Sequence, residues 1–509
     1  MKSYRIDGYL LFFSIALSVI GIVTIFGGSD DSAGMAIRKL IWLLLGIGLM
    51  FLFAFYEKLN YQIIGSYAFI ILGVLIVLLL LTLVPFIGTK VKGARSWIRI
   101  AGLGFQPAEF VKLALVLALA RYLVLKETQI ENVKELWLPF IISFVPIVLI
   151  AVQPDLGSAF LLIPILFSML FIGGANISLL AGFMTIGIFT LFVPMYLEYQ
   201  KYIMVDDIYN TIKDTHIKIA DAVRILNFEV WHYMENKTTV PLYGADTLKK
   251  WAIKIVSMPE NRKIFFQTVA ALDNASPNYL KNFLMNDLAM VIIITLSSVV
   301  YGISMLLRYF SRMHWLRGVT IFTLIISLSF LGSFALRKMV TFKPHQVTRI
   351  VSFANPDKFQ KGAGYQLRHS LIAMGSGQIV GKGLFGGDMT RGEIPFLPEW
   401  NNDFIFSVIG EQFGFLGVSV TLALFFGLII RGIIIAIESK DDFGSLLAGG
   451  ITFLFFFHIL INIGITMGLF PVTGIPLIFL SSGGSNLIVT FISVGILMNI
   501  NARKFINAN

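Results

Sequence analysis

In the stretch PFLPEWNNDFIFSVIGEQFGFLG, residues 395–417, a polar loop turns into an apolar run with Asp403 on the seam. No Lys or Arg follows three or four positions later, so the same helical face supplies no local cation. Desolvation beside an apolar run disfavours the charged form of a carboxyl. The carboxylate becomes more basic, which suits general-base catalysis. Two other acids stand in similar settings, Glu109 in QPAEFVKL and Asp155 in QPDLGSAF. In each motif a Pro sits where the first helical turn tolerates it, and an acid beside the positive end of a helix is favourable. Helix capping is one role open to Glu109 and Asp155; chemistry is the other, because ionisable groups this close to hydrocarbon usually mark a site. Lys112 follows Glu109 by three positions, on one helical face, as a partner for an ion pair. Glu411, about two turns beyond Asp403, either shares its face or bonds a neighbouring helix, while Gly410, Gly414 and Gly417 suggest close helix packing.

Cations gather in GTKVKGARSWIRIAGLGFQ, which carries Lys90, Lys92, Arg95 and Arg99. Arginine forms forked, charge-assisted hydrogen bonds that suit phosphate-like anions. Other chemistries find little support. Cysteine is absent, so disulfides and thiolate metal sites are excluded, and the six histidines show no paired ligand spacing. GKGLFG, residues 381–386, matches the dinucleotide fingerprint only in letters, because no βαβ frame surrounds it. The net charge of +11 fits a protein facing anionic lipid, and no soluble basic domain points to nucleic acid.

The elements that must position these groups are membrane helices. Of the 509 residues 57% are hydrophobic and 14% charged, and the mean hydropathy is +0.82, far from soluble composition. Apolar stretches long enough to cross a core of ~30 Å recur near 8–28, 38–56, 62–85, 108–125, 137–152, 157–173, 177–197, 288–307, 317–336, 404–431, 445–468 and 476–500. The expectation is an all-α polytopic membrane protein of about 12 transmembrane helices; strand-like alternation is absent, which argues against a β-barrel. The basic start and long first apolar run read as a retained helix, not a signal peptide. Lys2, Arg5, Arg121, Lys126, Lys134, Arg308, Arg312, Arg317, Arg503 and Lys504 share one side when both termini are cytoplasmic. The loop with Lys90 to Arg99 then lies outside against that rule, as do the helix starts with Glu109, Asp155 and Asp403. The chain divides into residues 1–199, 200–340 and 341–509. The middle part reads as an insertion, with an extracytoplasmic lobe over about 200–287 and two extra spans, into a ten-helix core.

KGARSWI, QPAEFVKL, QPDLGSA, GYQLRHSLIAMGSGQIVGKGL, FLPEWNNDFIFSVIGEQFGFLG and GLFPVTGIPLIFLSSGGSNLIV stand in the order of the SEDS family (shape, elongation, division and sporulation), which the chain resembles over 1–197 and 341–505. The resemblance implies a peptidoglycan glycosyltransferase in the bacterial cytoplasmic membrane that polymerises lipid II on the outer face for cell elongation and shape. It also implies a class B penicillin-binding protein transpeptidase and other elongation-complex membrane proteins as partners. The family's essential acid falls on Asp403, and its other motif residues on Glu109, Lys112 and Asp155. Gln106, Gln153, Gln366, Glu399, Ser481 and Ser485 join Lys92, Arg95 and Arg99 as substrate-binding candidates. Asn401 and Asn402 replace the family's usual His-Thr, and Ser482 its Tyr.

On that reading Asp403 takes the proton of a sugar 4-hydroxyl, and Arg95 with Lys90, Lys92 or Arg99 holds the departing lipid pyrophosphate. A single base suits inversion at the anomeric carbon, by analogy with inverting glycosidases. A divalent cation, magnesium or manganese, held by Asp403, Asp155 or Glu109 is the alternative aid to the pyrophosphate; no other cofactor is implied. A lipid II flippase, a scaffold subunit and a division-specific polymerase of the same family are the competing functions.

Overall fold

The computed structural model describes residues 6–28, 32–91, 94–100, 103–126, 133–214, 287–310, 315–339, 349, 351–354, 363–388 and 397–504. Among them, nine helices are long and apolar enough to cross a membrane, and Ala68–Leu83 and Leu156–Ile172 are shorter apolar helices. Pro107–Lys126 has the length, at 20 residues, but carries charged side chains. The chain is a multi-pass helical membrane protein; lipid leaves backbone groups no other partners, so the spans are helices with internal hydrogen bonds.

Two compact units divide the chain, residues 1–180 with 366–509, and residues 181–365. The first holds α1 (Gly8–Gly28), α2 (Ser32–Phe55), α3 (Tyr61–Ser66), α4 (Ala68–Leu83), α5 (Pro107–Lys126), α6 (Val133–Val152) and α7 (Leu156–Ile172). After α8 (Ile177–Asp214), α9 (Asp287–Phe310) and α10 (Trp315–Met339), it resumes within α11 (Ala363–Ser376) and ends with α12 (Ile405–Ile437), α13 (Asp442–Thr466) and α14 (Gly484–Arg503). Its core lies around α13 and α14, packed by small residues that let backbones approach. A Cβ on Gly495 of α14 would stand 2.5 Å from the Met50 carbonyl oxygen of α2. In the second unit α9 and α10 pair antiparallel through Ser298 with Ser327 (2.7 Å) and Thr320 with Ser304 (3.0 Å). Asp287 joins their ends by ion pairs to Arg337 and Lys338, and Ser333 bonds the Phe189 carbonyl of α8.

Besides splitting the span expected over 62–85 into α3 and α4 at Tyr67, the structure departs from hydropathy at four places. The basic loop is a three-stranded antiparallel meander, β1 (Gly88–Val91), β2 (Ala94–Ile100) and β3 (Leu103–Phe105). The span expected over 476–500 begins only at Gly484. The apolar IPLIFL before it is a buried non-helical segment, Leu477 to Leu480 being at most 1% exposed, and hydropathy reports burial whatever the backbone does. Third, α8 continues to Asp214, past the expected end at 197; the rest of the expected lobe, 215–286, lies outside the described residues.

The fourth departure lies in α12, which breaks at Gly414 (φ 63°). Residues 378–383 satisfy the exposed backbone there: Phe415 and Leu416 N–H donate to Gln378 and Ile379, and Lys382 and Gly383 N–H donate to Glu411 and Gln412. Gly414 is therefore a kink, whereas Gly410 does pack closely, against Met374. Glu411 is fully buried and accepts from Asp388 N–H at 2.8 Å, with Lys382 Nζ 3.6 Å away.

Candidate active site

Pro107 opens α5, where a missing N–H costs nothing, and places Glu109 in the first turn. Asp155 is the N-cap of α7, its Oδ1 accepting from Ser158 N–H at 3.1 Å. Pro154 thus stands before the cap and outside the first turn. Asp403 lies on the turn before α12, where the Glu399 carbonyl accepts the N–H groups of Asn402 (3.0 Å) and Asp403 (3.1 Å). Glu399 itself takes φ 58°, a left-handed conformation costly for a non-glycine residue.

The segment 473–486 links the three acids. Gly474 faces Asp403: a Cβ there would lie 3.5 Å from Oδ2, and φ is +79°. The adjacent Thr473 touches the start of α7, its carbonyl oxygen 2.7 Å from a Cβ on Gly157. At the far end, Asn486 donates to Glu109 Oε2 at 2.8 Å. Ser485 accepts from Gln106 N–H (3.2 Å) and donates to the Gly104 carbonyl (3.3 Å). Gln106 in turn donates to Asp155 Oδ2 at 3.1 Å.

Within this frame the acids differ. Glu109 and Lys112 are buried, 3% and 1% exposed, and paired at 2.7 Å. Lys112 also meets His458 Nε2 at 3.2 Å, and Glu109, Lys112, His458 and Asn486 line a small cavity. Burial pushes the Asp155 carboxyl above the usual range, opposed by the Ser158 N–H. Asp403 remains partly exposed, with Asn402 Nδ2 3.2 Å from Oδ1.

The substrate-binding candidates separate. Ser481 is a latch: its hydroxyl donates to the Asn402 carbonyl at 2.6 Å and accepts from Leu477 N–H at 2.7 Å. Gln153 is fully buried, and its amide donates to Leu79 O and Thr82 Oγ1 of α4, so the structure does not bring it into the group. Gln366 is half-buried on α11, apart from the bonds above. Arg95 is half-buried and reaches the Leu83 carbonyl at 3.5 Å; Arg99 is exposed, cross-strand from the Gly104 that Ser485 touches. Lys92 lies outside the described residues. His458, Asn462 and Lys39 were missed by motif reading. Each is a polar or charged group within an apolar run, the signal that could have found them.

The family model for cell cycle proteins of the FtsW, RodA and SpoVE type matches residues 6–221 and 236–505. Peptidoglycan glycosyltransferase RodA of Treponema pallidum is 29% identical over 504 residues, 98% of each chain. Probable peptidoglycan glycosyltransferase FtsW of Trichlorobacter lovleyi is 27% identical, covering 98% of this chain and 95% of the relative. Among solved structures, the rod shape determining protein RodA of Thermus thermophilus superposes with a TM-score of 0.52 at 20% identity, covering 99% of both chains. A chain described in the structural coordination of polymerization and crosslinking by a peptidoglycan synthase complex gives 0.57 at 20% identity, covering 99% of this chain and 100% of that one. With the same fold and a family match along nearly its whole length, the chain belongs to the FtsW, RodA and SpoVE family of cell cycle proteins.

Proposed function

We propose that this chain is a peptidoglycan glycosyltransferase that polymerises lipid II at the outer face of the bacterial cytoplasmic membrane, with both termini inside, in the service of elongation. The observation that carries the assignment of roles is the contrast among the acids. Glu109 is buried in a pair with Lys112 and bonded by Asn486, and Asp155 is the N-cap of α7, whereas Asp403 stands on the turn before α12, partly exposed and facing Gly474, with Asn402 Nδ2 on its Oδ1.

Asp403 accepts the proton of the 4-hydroxyl that lipid II presents. The oxygen attacks the anomeric carbon of the growing strand, a new glycosidic bond forms with inversion, and the bond to the lipid pyrophosphate breaks. Arg95 and Arg99 on β2, with Lys92, stabilise the departing pyrophosphate. Glu109, Lys112 and Asp155 keep the surrounding helix starts in place. A divalent cation, magnesium or manganese, held by Asp403, Asp155 or Glu109 is the alternative aid to the pyrophosphate; no three acidic or histidine side chains converge among the described residues, so one or two carboxylates would hold it together with the pyrophosphate oxygens. No step is routed through one. A class B penicillin-binding protein is the partner we assign, supported by the crosslinking in the description of the structural relative.

The test is purified protein with labelled lipid II. Asp403→Asn keeps the size and removes the base, so polymer formation falls by about 10²-fold or more; near-parental polymer from folded Asp403→Asn protein removes Asp403 from the mechanism. Arg95→Ala weakens use of the lipid-pyrophosphate substrate more than stability, since the hydrogen bond Arg95 makes is at the limit of reach. A lowered melting temperature with unchanged turnover per folded molecule would make Arg95 structural.

A further inference from the structure

Lys39 sits two turns into α2 and is 1% exposed, among the largest fully buried side chains of the described residues. An amine buried this deeply is costly unless it does something in return. Its Nζ donates to the backbone carbonyl of Leu480, 441 positions along the chain. Room for it comes from α1: a Cβ on Gly21 would crowd Lys39 Nζ and stand 2.6 Å from the Leu480 carbonyl oxygen.

The carbonyl it holds belongs to the segment that carries the Asp403 turn. Immediately after Leu480, Ser481 donates its hydroxyl to the Asn402 carbonyl at 2.6 Å, and Ser482 N–H donates to the Asn401 carbonyl at 3.0 Å. Phe479, just before, has φ 62°, a left-handed conformation that persists only where the surroundings impose it. Trp42, three residues after Lys39 on the same helical face, packs against Gly484 at the other end of the segment.

From these contacts, and resting on the assignment of Asp403 as the base, we infer that Lys39 is a positioning residue: it fixes the Leu480 to Ser482 backbone and, through Ser481 and Ser482, the turn that aims Asp403. It is buried away from any substrate and takes no part in the bond changes.

The chain has no cysteine, so Ser482→Cys supplies a single thiol whose labelling by a water-soluble maleimide reports the segment's mobility without reference to activity. In full-length protein, Lys39→Met in that background raises the labelling rate by about threefold or more, the mark of a locally loosened segment. In the otherwise parental protein, Lys39→Met lowers kcat for lipid II polymerisation roughly tenfold or more while KM stays within about twofold, as expected for a misaimed reacting group. Lys39→Arg, which keeps a donor, recovers most of both. Parental labelling or parental turnover per folded molecule in Lys39→Met overturns the inference. If Lys39→Met does not fold, Gly21→Ala pries the same contact apart from α1, and parental behaviour of that variant in either assay overturns it equally. Asp403→Asn is the parallel control: polymer from Asp403→Asn defeats the functional reading, whereas an inactive Asp403→Asn beside a parental Lys39→Met defeats only the role of Lys39.

Discussion

The side-chain amide of Asn462, on α13, donates to the backbone carbonyl of Asp403 at 2.9 Å and to that of Ile475 at 2.6 Å. One fully buried amide thereby fastens the turn that carries Asp403 to the segment that faces it. Asn462→Ala leaves both carbonyls short of a donor, at a cost of about 1–3 kcal/mol per group. The expected outcome is a lower melting temperature together with lower polymerisation per folded molecule. Loss of stability alone would show that the turn keeps its place without Asn462.

Glu109 and Lys112 form a buried pair, and removing one partner strands the other charge. Lys112→Met alone should destabilise by about 3–5 kcal/mol, whereas Glu109→Gln with Lys112→Met should cost less than the single change. Thermal unfolding of the two single variants and the double variant measures the coupling. Additive losses would mean that Asn486 and His458 hold each group independently.

For Asp155 the folded-state pKa lies above the ordinary carboxylate value because burial disfavours the charge. A raised acid pKa means that the folded state binds the proton more tightly than the unfolded one. The resulting stability is present below the unfolded pKa and is lost as pH rises through the folded pKa. Asp155→Asn does not titrate, so the parent's melting temperature relative to Asp155→Asn should be higher at pH 4 than at pH 7. A difference that is flat across that range, or that grows with pH, contradicts the assignment.

Residues 200–340 contain none of the candidate groups, and we propose that they regulate or recruit and do not catalyse. The family match does run through most of them, leaving only 222–235 unmatched, so the proposal needs its own test. Joining residue 198 to residue 340 by a short linker removes α9 and α10 as a pair and keeps the orientation of the later helices. The expected outcome is polymer from lipid II alone. A well-folded deletion protein without polymer would place this region in the active site.

What the sequence determined by itself was local in origin. Apolar runs of membrane length require helices wherever lipid is the solvent, which placed most spans to within a few residues. Glu109 after Pro107 in the first turn of α5 and Asp155 at the N-cap of α7 were legible because helix starts favour those residue types whatever surrounds them, and Asp403 because it stands where a polar loop meets an apolar run. The i, i+3 spacing of Glu109 and Lys112 already specified their pair.

Only the tertiary structure decided the rest. IPLIFL reads as the start of a helix because hydropathy measures burial; it is a buried loop because Pro476 supplies no N–H and Ser481 and Ser482, which follow, bond to the distant backbone of Asn402 and Asn401. Gly414 looks like a packing residue until residues 378–383 are found filling the break it makes in α12. Lys39 with Leu480, Asn462 with Asp403 and Asn486 with Glu109 join groups far apart in the chain. Periodicity carries no record of such pairs, since a buried polar group is satisfied by whichever partner the packing of the helices brings to it.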